Sequence, residues 1–302
     1  NKITFTDSFK FYLGNSGTSA RLLMGVMAGL GNKCLFYGDD SLQKRPMLRV
    51  ITPLSLMGAK IFAKNNLSIS DSNHKAISID LIDSASNNDL HLENLTLINN
   101  SNTKAYLPVI LQGGSLKGIN YQLPVASAQI KSAILLAGLF TKDEVAVTEL
   151  AATRDHTENM LLAANIELKI ETNSNKAKVI TLPKGNKVLK PCSWQVPGDF
   201  SSSAFIIAAA LLVPNSKVLI KGVNLNPLRT GFLQVLQQMK ANLKIHYKNK
   251  VCGELFGDIE ISYTKDLHPI VVNKELVPLM IDEFPILACL VSLIKGESKF
   301  LG

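Results

Sequence analysis

Leu161-Leu162-Ala163-Ala164-Asn165-Ile166-Glu167-Leu168-Lys169-Ile170 reads as the end of an amphipathic helix, a short turn and the start of a strand. The pattern returns in Leu236-Gln237-Gln238-Met239-Lys240-Ala241-Asn242-Leu243-Lys244-Ile245, and in shorter form in Leu56-Met57-Gly58-Ala59-Lys60-Ile61. Arg45, Arg154 and Arg229 each stand the same distance before Ile61, Ile170 and Ile245. Leu30 and Leu139 hold that register too, each closing a helix rich in Ala, Leu and Ile. A repeat this long is not a solenoid. It predicts an α/β (α+β) chain built from a few duplicated units, each reading helix, strand, helix, strand, with further strands between units. Ala177–Leu182 and Leu255–Tyr263 supply such strands by their alternation and β-branched content.

The helices open on small and polar residues. Leu13-Gly14-Asn15-Ser16-Gly17-Thr18-Ser19-Ala20-Arg21 runs straight into an apolar helix through Met24, Val26, Met27 and Leu30. Small residues let backbone N–H groups approach a ligand, and a helix N-terminus carries partial positive charge, so this is a candidate anion site. The competing reading is Ser16 or Thr18 as the cap of a buried helix. Gly38-Asp39-Asp40-Ser41-Leu42-Gln43-Lys44-Arg45-Pro46-Met47 then delivers Lys44 and Arg45 just ahead of a second helix. Later helices open at Leu123-Pro124-Val125-Ala126-Ser127-Ala128-Gln129, at Val196–Ala204 and at Val277-Pro278-Leu279-Met280-Ile281-Asp282-Glu283. Of 32 basic residues five are Arg, and three of those occupy the repeat-equivalent position. Arg is the fork-shaped donor that suits phosphate and carboxylate. Arg45 and Arg154, whose units carry the small-residue helix starts, read as ligand arms, and Arg229 reads as an internal tie.

Composition narrows the class. The chain has 302 residues, 46% of them hydrophobic, enough for two domains with their own cores. The net charge of +8 comes with Lys scattered along the chain, which fits small multiply charged anions or a solvated surface. No basic stripe points to nucleic acid. No Gly-Lys-Ser/Thr follows the glycine turn, and neither a Gly-x-Gly-x-x-Gly fingerprint nor a Gly-x-Ser-x-Gly elbow is present. Cys34, Cys192, Cys252 and Cys289 lie far apart, which argues against a disulfide framework or zinc site and fits a reducing cytoplasm. The five histidines have no metal-ligand spacing, so no metal is expected. The longest apolar run, Ala204–Val213, is about half of what a membrane span needs, so no membrane is expected as a partner.

Seven of these segments, in order from Leu13 to Pro285, resemble the 5-enolpyruvylshikimate-3-phosphate (EPSP) synthase family. Leu13–Arg21 looks like its phosphoenolpyruvate loop and Gly38–Met47 like its Gly-Asp…Arg-Pro-Met segment. Leu123–Ser132 and Thr153-Arg154-Asp155-His156-Thr157-Glu158 look like its shikimate-phosphate segments. Val196–Ser203, Asn226–Gly231 and Val277–Pro285 continue the match. The resemblance implies an enolpyruvyl transferase fold, two globules of βαβαββ units forming an inside-out barrel. Residues 1–189 would hold two of the first globule's three units, and residues 190–302 one full and one partial unit of the second. The hinge falls near Leu189-Lys190-Pro191.

The resemblance further implies transfer of the enolpyruvyl group of phosphoenolpyruvate to the 5-hydroxyl of shikimate 3-phosphate, without metal or organic cofactor, by a cytoplasmic monomer. Gly17, Arg45 and Gln129 would bind phosphoenolpyruvate. Ser127, the Ala128 backbone, Gln129 and Arg154 would bind shikimate 3-phosphate. Asp282 matches the carboxylate beside the 5-hydroxyl, the general-base candidate, and its position also fits the cap of a helix over 286–294. Ser127 fits a cap in the same way, and His156 reads as a structural hydrogen-bonder. Glyphosate competes with phosphoenolpyruvate in the family, and bulk at Gly17 would crowd it.

The sequence lacks the family's Lys-Ser-x-x-x-Arg and Lys-Glu-x-x-Arg segments, and the surroundings of Lys2 and Lys10 do not replace the first. The 302 residues alone are therefore expected to be inactive and poorly stable, with exposed strand edges. Two alternatives stand beside this reading. One is the related UDP-N-acetylglucosamine enolpyruvyl transferase, whose loop carries a catalytic Cys. The other is a non-catalytic anion-binding relic.

Overall fold

Gly58, Asn165 and Lys240 each stand just past the cap residue of a helix in the left-handed region, at φ of 114°, 64° and 57°. The next amides, of Ala59, Ile166 and Ala241, reach back to the carbonyls of Leu54, Leu161 and Leu236. This is the same left-handed helix closure three times, and it satisfies carbonyls that a helix end otherwise leaves orphaned. The recurring sequence is therefore a recurring structure.

The computed structural model describes residues 9–64, 95–98 and 104–301; Lys2 lies outside them. It divides into two units, Asn1–Ala151 with Glu167–Val188, and Ala152–Ile166 with Leu189–Gly302. The first unit holds two sheets. One is built from β1 (Phe9–Tyr12), α1 (Gly17–Leu30), β2 (Lys33–Tyr37), α2 (Asp40–Gln43), α3 (Leu48–Leu56), β3 (Lys60–Lys64), β4 (Leu95–Leu97) and β5 (Tyr106–Gln112). Its order is β1-β2-β5-β3-β4, with β1 parallel to β2 and β5 antiparallel to both β2 and β3. The other contains β6 (Ile119–Gln122), α4 (Ala128–Gly138), β7 (Val145–Glu149), β8 (Lys169–Thr172) and β9 (Lys178–Leu182). Its order is β6-β7-β9-β8, with β6 parallel to β7 and β9 antiparallel to both neighbours. The two sheets thus share one plan, a parallel strand pair joined by a helix, with an antiparallel strand pair beside it.

α1 and α4 pack against each other as the core of this unit. A Cβ on Gly25 would come within 2.3 Å of the Ala133 carbonyl oxygen, so this helix approach requires glycine. On α4, Lys131 Nζ meets Glu149 Oε2 of β7 at 3.0 Å, both side chains fully buried. The pair fixes the rotation of α4, and hence the direction in which Ser127, Ala128 and Gln129 are presented.

The second unit contains α5 (His156–Ala163), α6 (Phe200–Leu212), β10 (Lys217–Asn224), α7 (Gly231–Gln238), β11 (Leu243–Val251), β12 (Glu254–Ser262), β13 (Val271–Val272), α8 (Phe284–Ser292) and β14 (Lys299–Phe300). Its main sheet runs β10-β12-β11, all antiparallel. A parallel bridge from Gly198 to Val223 of β10 stands where the other sheets carry their first strand, so the plan recurs in reduced form. β13 and β14, parallel and connected through α8, repeat its opening step. Phe200, Ile207, Phe232, Leu236, Ile259 and Leu287 form the core.

The last helix differs from expectation. It spans Phe284–Ser292 rather than 286–294, because Pro285 is tolerated in a first helical turn. Asp282 is therefore not its cap; it lies in a 3₁₀ turn, Ile281–Glu283.

Breaking the buried pair by Lys131→Ala leaves Glu149 charged in the core, and is expected to cost about 3–5 kcal/mol in urea unfolding. The apolar double replacement Lys131→Met with Glu149→Leu is expected to cost far less.

Candidate active site

The glycine loop is shaped by β-sheet anchors on either side. Leu13 N–H donates to Tyr37 O at 2.9 Å, and Asp39 N–H donates to Gly14 O at 3.0 Å. Ser16 caps α1, its hydroxyl accepting from Ser19 N–H at 3.1 Å, which is the capping reading of this turn. Gly17 opens the helix, and two guanidinium groups close over it. An added Cβ would lie 2.9 Å from Arg21 Nη1 and 3.3 Å from Arg45 Nη1.

Arg21 organises the cluster. It donates to Gln129 Oε1 at 2.8 Å, to Pro46 O at 3.0 Å and, more weakly, to Gly17 O at 3.4 Å. Gln129 Nε2 in turn donates to Thr18 Oγ1 at 2.8 Å, so both ends of that amide are fixed from α1. Arg45 donates to Asn15 Oδ1. Burial, and then the like charges of Arg45 and Arg49, lower the proton affinity of Arg21. An anion bound at the start of α1 relieves that repulsion and gains the helix-terminal dipole as well. Three motifs far apart in sequence, the Leu13 loop, Arg45-Pro46 and Ser127–Gln129, are therefore joined through one side chain that was counted among the arginines but not singled out. The available signal was its spacing: Arg21 stands one helical turn after Gly17 and shares its face. Ser127 occupies the cap position of α4 with no side-chain cap bond, which leaves its hydroxyl and the helix start open to a ligand.

In the second unit Arg154 Nη2 meets Asp282 Oδ2 at 2.5 Å. These two predicted site residues are brought together, with both side chains partly exposed. Arg229 instead pairs with Asp199 Oδ1 at 2.8 Å and donates to Ser201 Oγ at 2.9 Å, the internal tie its position predicted. His156 Nδ1 lies 2.9 Å from Glu254 Oε1, the structural bond expected of it. Asn159 donates to the same oxygen at 3.1 Å, and Asn224 to Oε2 at 3.0 Å. Burial alone would raise the Glu254 carboxyl, but the His156 bond and charge and the two amides together hold it down, to about 2. Cys34 lies buried in β2, and burial pushes its thiol up to about 12, which leaves it inert as an acid or nucleophile.

The Glu254 network predicts an acid response. Its folded value lies below the ordinary 4.5, so its contribution to stability is complete above that pH and is lost as pH falls toward 2. Glu254→Gln is expected to remove on the order of 2–3 kcal/mol at neutral pH. The difference from wild type should shrink between those two values, as read by urea unfolding at stepped pH.

The EPSP synthase family profile, described as 3-phosphoshikimate 1-carboxyvinyltransferase, matches residues 2–87 and 92–302. A 3-phosphoshikimate 1-carboxyvinyltransferase of Thermodesulfovibrio yellowstonii is 41% identical over 285 residues, 94% of this chain and 56% of that protein. One from Caulobacter vibrioides is 41% identical over 292 residues, 96% of this chain and 57% of the relative. The solved EPSP synthase of Acinetobacter baumannii superposes with a TM-score of 0.72 at 37% identity, over 98% of this chain and 57% of that one. The chain spans about half the length of the curated relatives it matches. With this much of the sequence and backbone shared, the chain belongs to the EPSP synthase family.

Proposed function

We propose that the protein transfers the enolpyruvyl group of phosphoenolpyruvate to the 5-hydroxyl of shikimate 3-phosphate, releasing phosphate. The observation that carries this reading is the convergence of Arg21, Arg45 and Gln129 on Gly17 at the start of α1. That arrangement suits a small phosphorylated carboxylic acid, and the family supplies its name.

In this reading Gly17, Arg45 and Gln129 bind phosphoenolpyruvate, with the phosphate at the α1 N-terminus. Ser127, the Ala128 N–H, Gln129 and Arg154 bind shikimate 3-phosphate. Asp282 takes the proton of the 5-hydroxyl as the oxygen attacks C2 of phosphoenolpyruvate. The C3 methylene gains a proton, giving a tetrahedral ketal phosphate. Loss of phosphate and of a C3 proton then restores the double bond as a vinyl ether. Arg154 holds the Asp282 carboxylate in place. No helix among the described residues is long and apolar enough to cross a membrane. Residues 1–189 and 190–302 are read as parts of the family's two globules, although Ala152–Ile166 groups with the second unit rather than the first. A buried, raised Cys34 thiol weighs against the cysteine-dependent UDP-N-acetylglucosamine enzyme.

The deciding experiment is phosphate release from phosphoenolpyruvate by the full-length enzyme, with and without shikimate 3-phosphate. Release is expected only with both, and Asp282→Asn should lower kcat by about 10²–10⁴-fold. Release that ignores shikimate 3-phosphate overturns the reading. Gly17→Ala supplies a second test, because its methyl must displace the Arg21 and Arg45 guanidiniums. Its inhibition constant for glyphosate is expected to rise more than its KM for phosphoenolpyruvate, and equal changes would refute the crowding argument.

A further inference from the structure

Glu283 stands next to Asp282 and is 1% exposed, yet neither the proposed chemistry nor any capping role uses it. Its Oε1 accepts the Ser201 hydroxyl at 2.5 Å, and its Oε2 is buried without a hydrogen-bond partner among the described residues. A half-satisfied buried carboxyl is costly, and a turn that held it for packing alone would be better served by an apolar residue. Burial, together with the Asp282 charge, raises its proton affinity, against the opposing pull of Ser201, Arg229 and Arg154. The Ser201 hydroxyl that it holds also accepts from Arg229, which is locked on Asp199 at the start of α6. An unbroken chain of bonds therefore runs Asp199–Arg229–Ser201–Glu283, and Glu283 is its point of attachment to the turn Ile281–Glu283. That turn carries Asp282, whose side chain is partly exposed and, among the described residues, held by Arg154.

We propose that Glu283 is a positioning residue that anchors the Asp282 turn to α6 and α7 through Ser201 and the Asp199–Arg229 pair, and so aims the Asp282 carboxylate at its proton. The inference rests on the reading of Asp282 as the general base. It gives the third repeat-equivalent arginine a function: Arg45 and Arg154 face ligands, and Arg229 braces the base.

The test is a mutant cycle in the full-length enzyme under phosphate release, with thermal melts to show that each variant folds. Because a misplacement of about 1 Å costs on the order of 10²-fold, Glu283→Ala is expected to lower kcat by about 10–100-fold, with a smaller change in KM. Ser201→Ala, which removes one hydroxyl from a partly buried site, should lower kcat in the same direction while leaving the fold intact. Glu283→Gln keeps an oxygen that accepts from Ser201, and should recover most of the loss. In an Asp282→Asn background the further cost of Glu283→Ala should fall below about twofold, because the group being positioned is gone. A full additional penalty in that background, or a Gln variant as damaged as the Ala variant, overturns the positioning role while leaving the base assignment standing. Wild-type turnover in Asp282→Asn overturns both.

Discussion

The guanidinium of Arg21 is the contact on which the first unit's candidate site depends. A planar fork can donate in several directions at once, and here it reaches the backbone of the Arg45-Pro46 segment, the amide of Gln129 on α4 and the first turn of its own helix. Gln129 is fixed because its oxygen takes Arg21 and its nitrogen gives to Thr18. The glycine at position 17 is a consequence of the same contact, since the space a Cβ needs is filled by the two arginines. The cost is charge repulsion among Arg21, Arg45 and Arg49 in a partly buried place. Groups that repel one another when empty gain most when an anion arrives, which is the physical ground for the proposed anion site at the start of α1.

The repeat shows how one local plan acquires different uses. In each copy a helix ends in a left-handed residue and an arginine sits upstream at a fixed distance. Arg45 reaches Asn15 beside the glycine loop, Arg154 reaches Asp282, and Arg229 reaches Asp199 and Ser201. The backbone position is shared, while the partner is set by whichever acceptor the neighbouring helix start offers. Asp199 takes Arg229 because it is already turned toward α6 as the cap of that helix, accepting from Ser202 N–H at 2.8 Å.

The unit plan was legible because it rests on local signals. Periodicity and turn chemistry give the helix ends, and the alternation read in Ala177–Leu182 and Leu255–Tyr263 answers to the strands Lys178–Leu182 and Glu254–Ser262. Arg154 is singled out by its register in the repeat and Asp282 by the family motif, but their pairing is not in either signal, since the two are distant in sequence and only tertiary structure joins them. Arg21 and Glu283 were visible as residues but not as participants. Each acts by bonding to a side chain far along the chain, Gln129 for one and Ser201 for the other, and no pattern within a single segment encodes that. The start of the last helix was misplaced for a local reason: Pro285 reads as a break, yet it sits where a helix needs no donor.

Glu254 and Glu283 show what decides the state of a buried carboxyl in the second unit. Both are buried, and for both desolvation is the largest influence, favouring the neutral acid. Glu254 nonetheless ends well below the ordinary value, because donors from His156, Asn159 and Asn224 cover both of its oxygens. Glu283 ends above it, with one hydroxyl donor on one oxygen and the Asp282 charge beside it. Burial sets the scale in each case, and the count of donors sets the sign. A carboxyl with every lone pair answered is a fixed structural anion, which suits Glu254 to knitting α5 to β10 and β12. A carboxyl left half-answered holds its proton more tightly and binds its neighbours through a single directed bond. That single bond makes Glu283 a hinge pin for the turn that carries Asp282 rather than a further charge in the site.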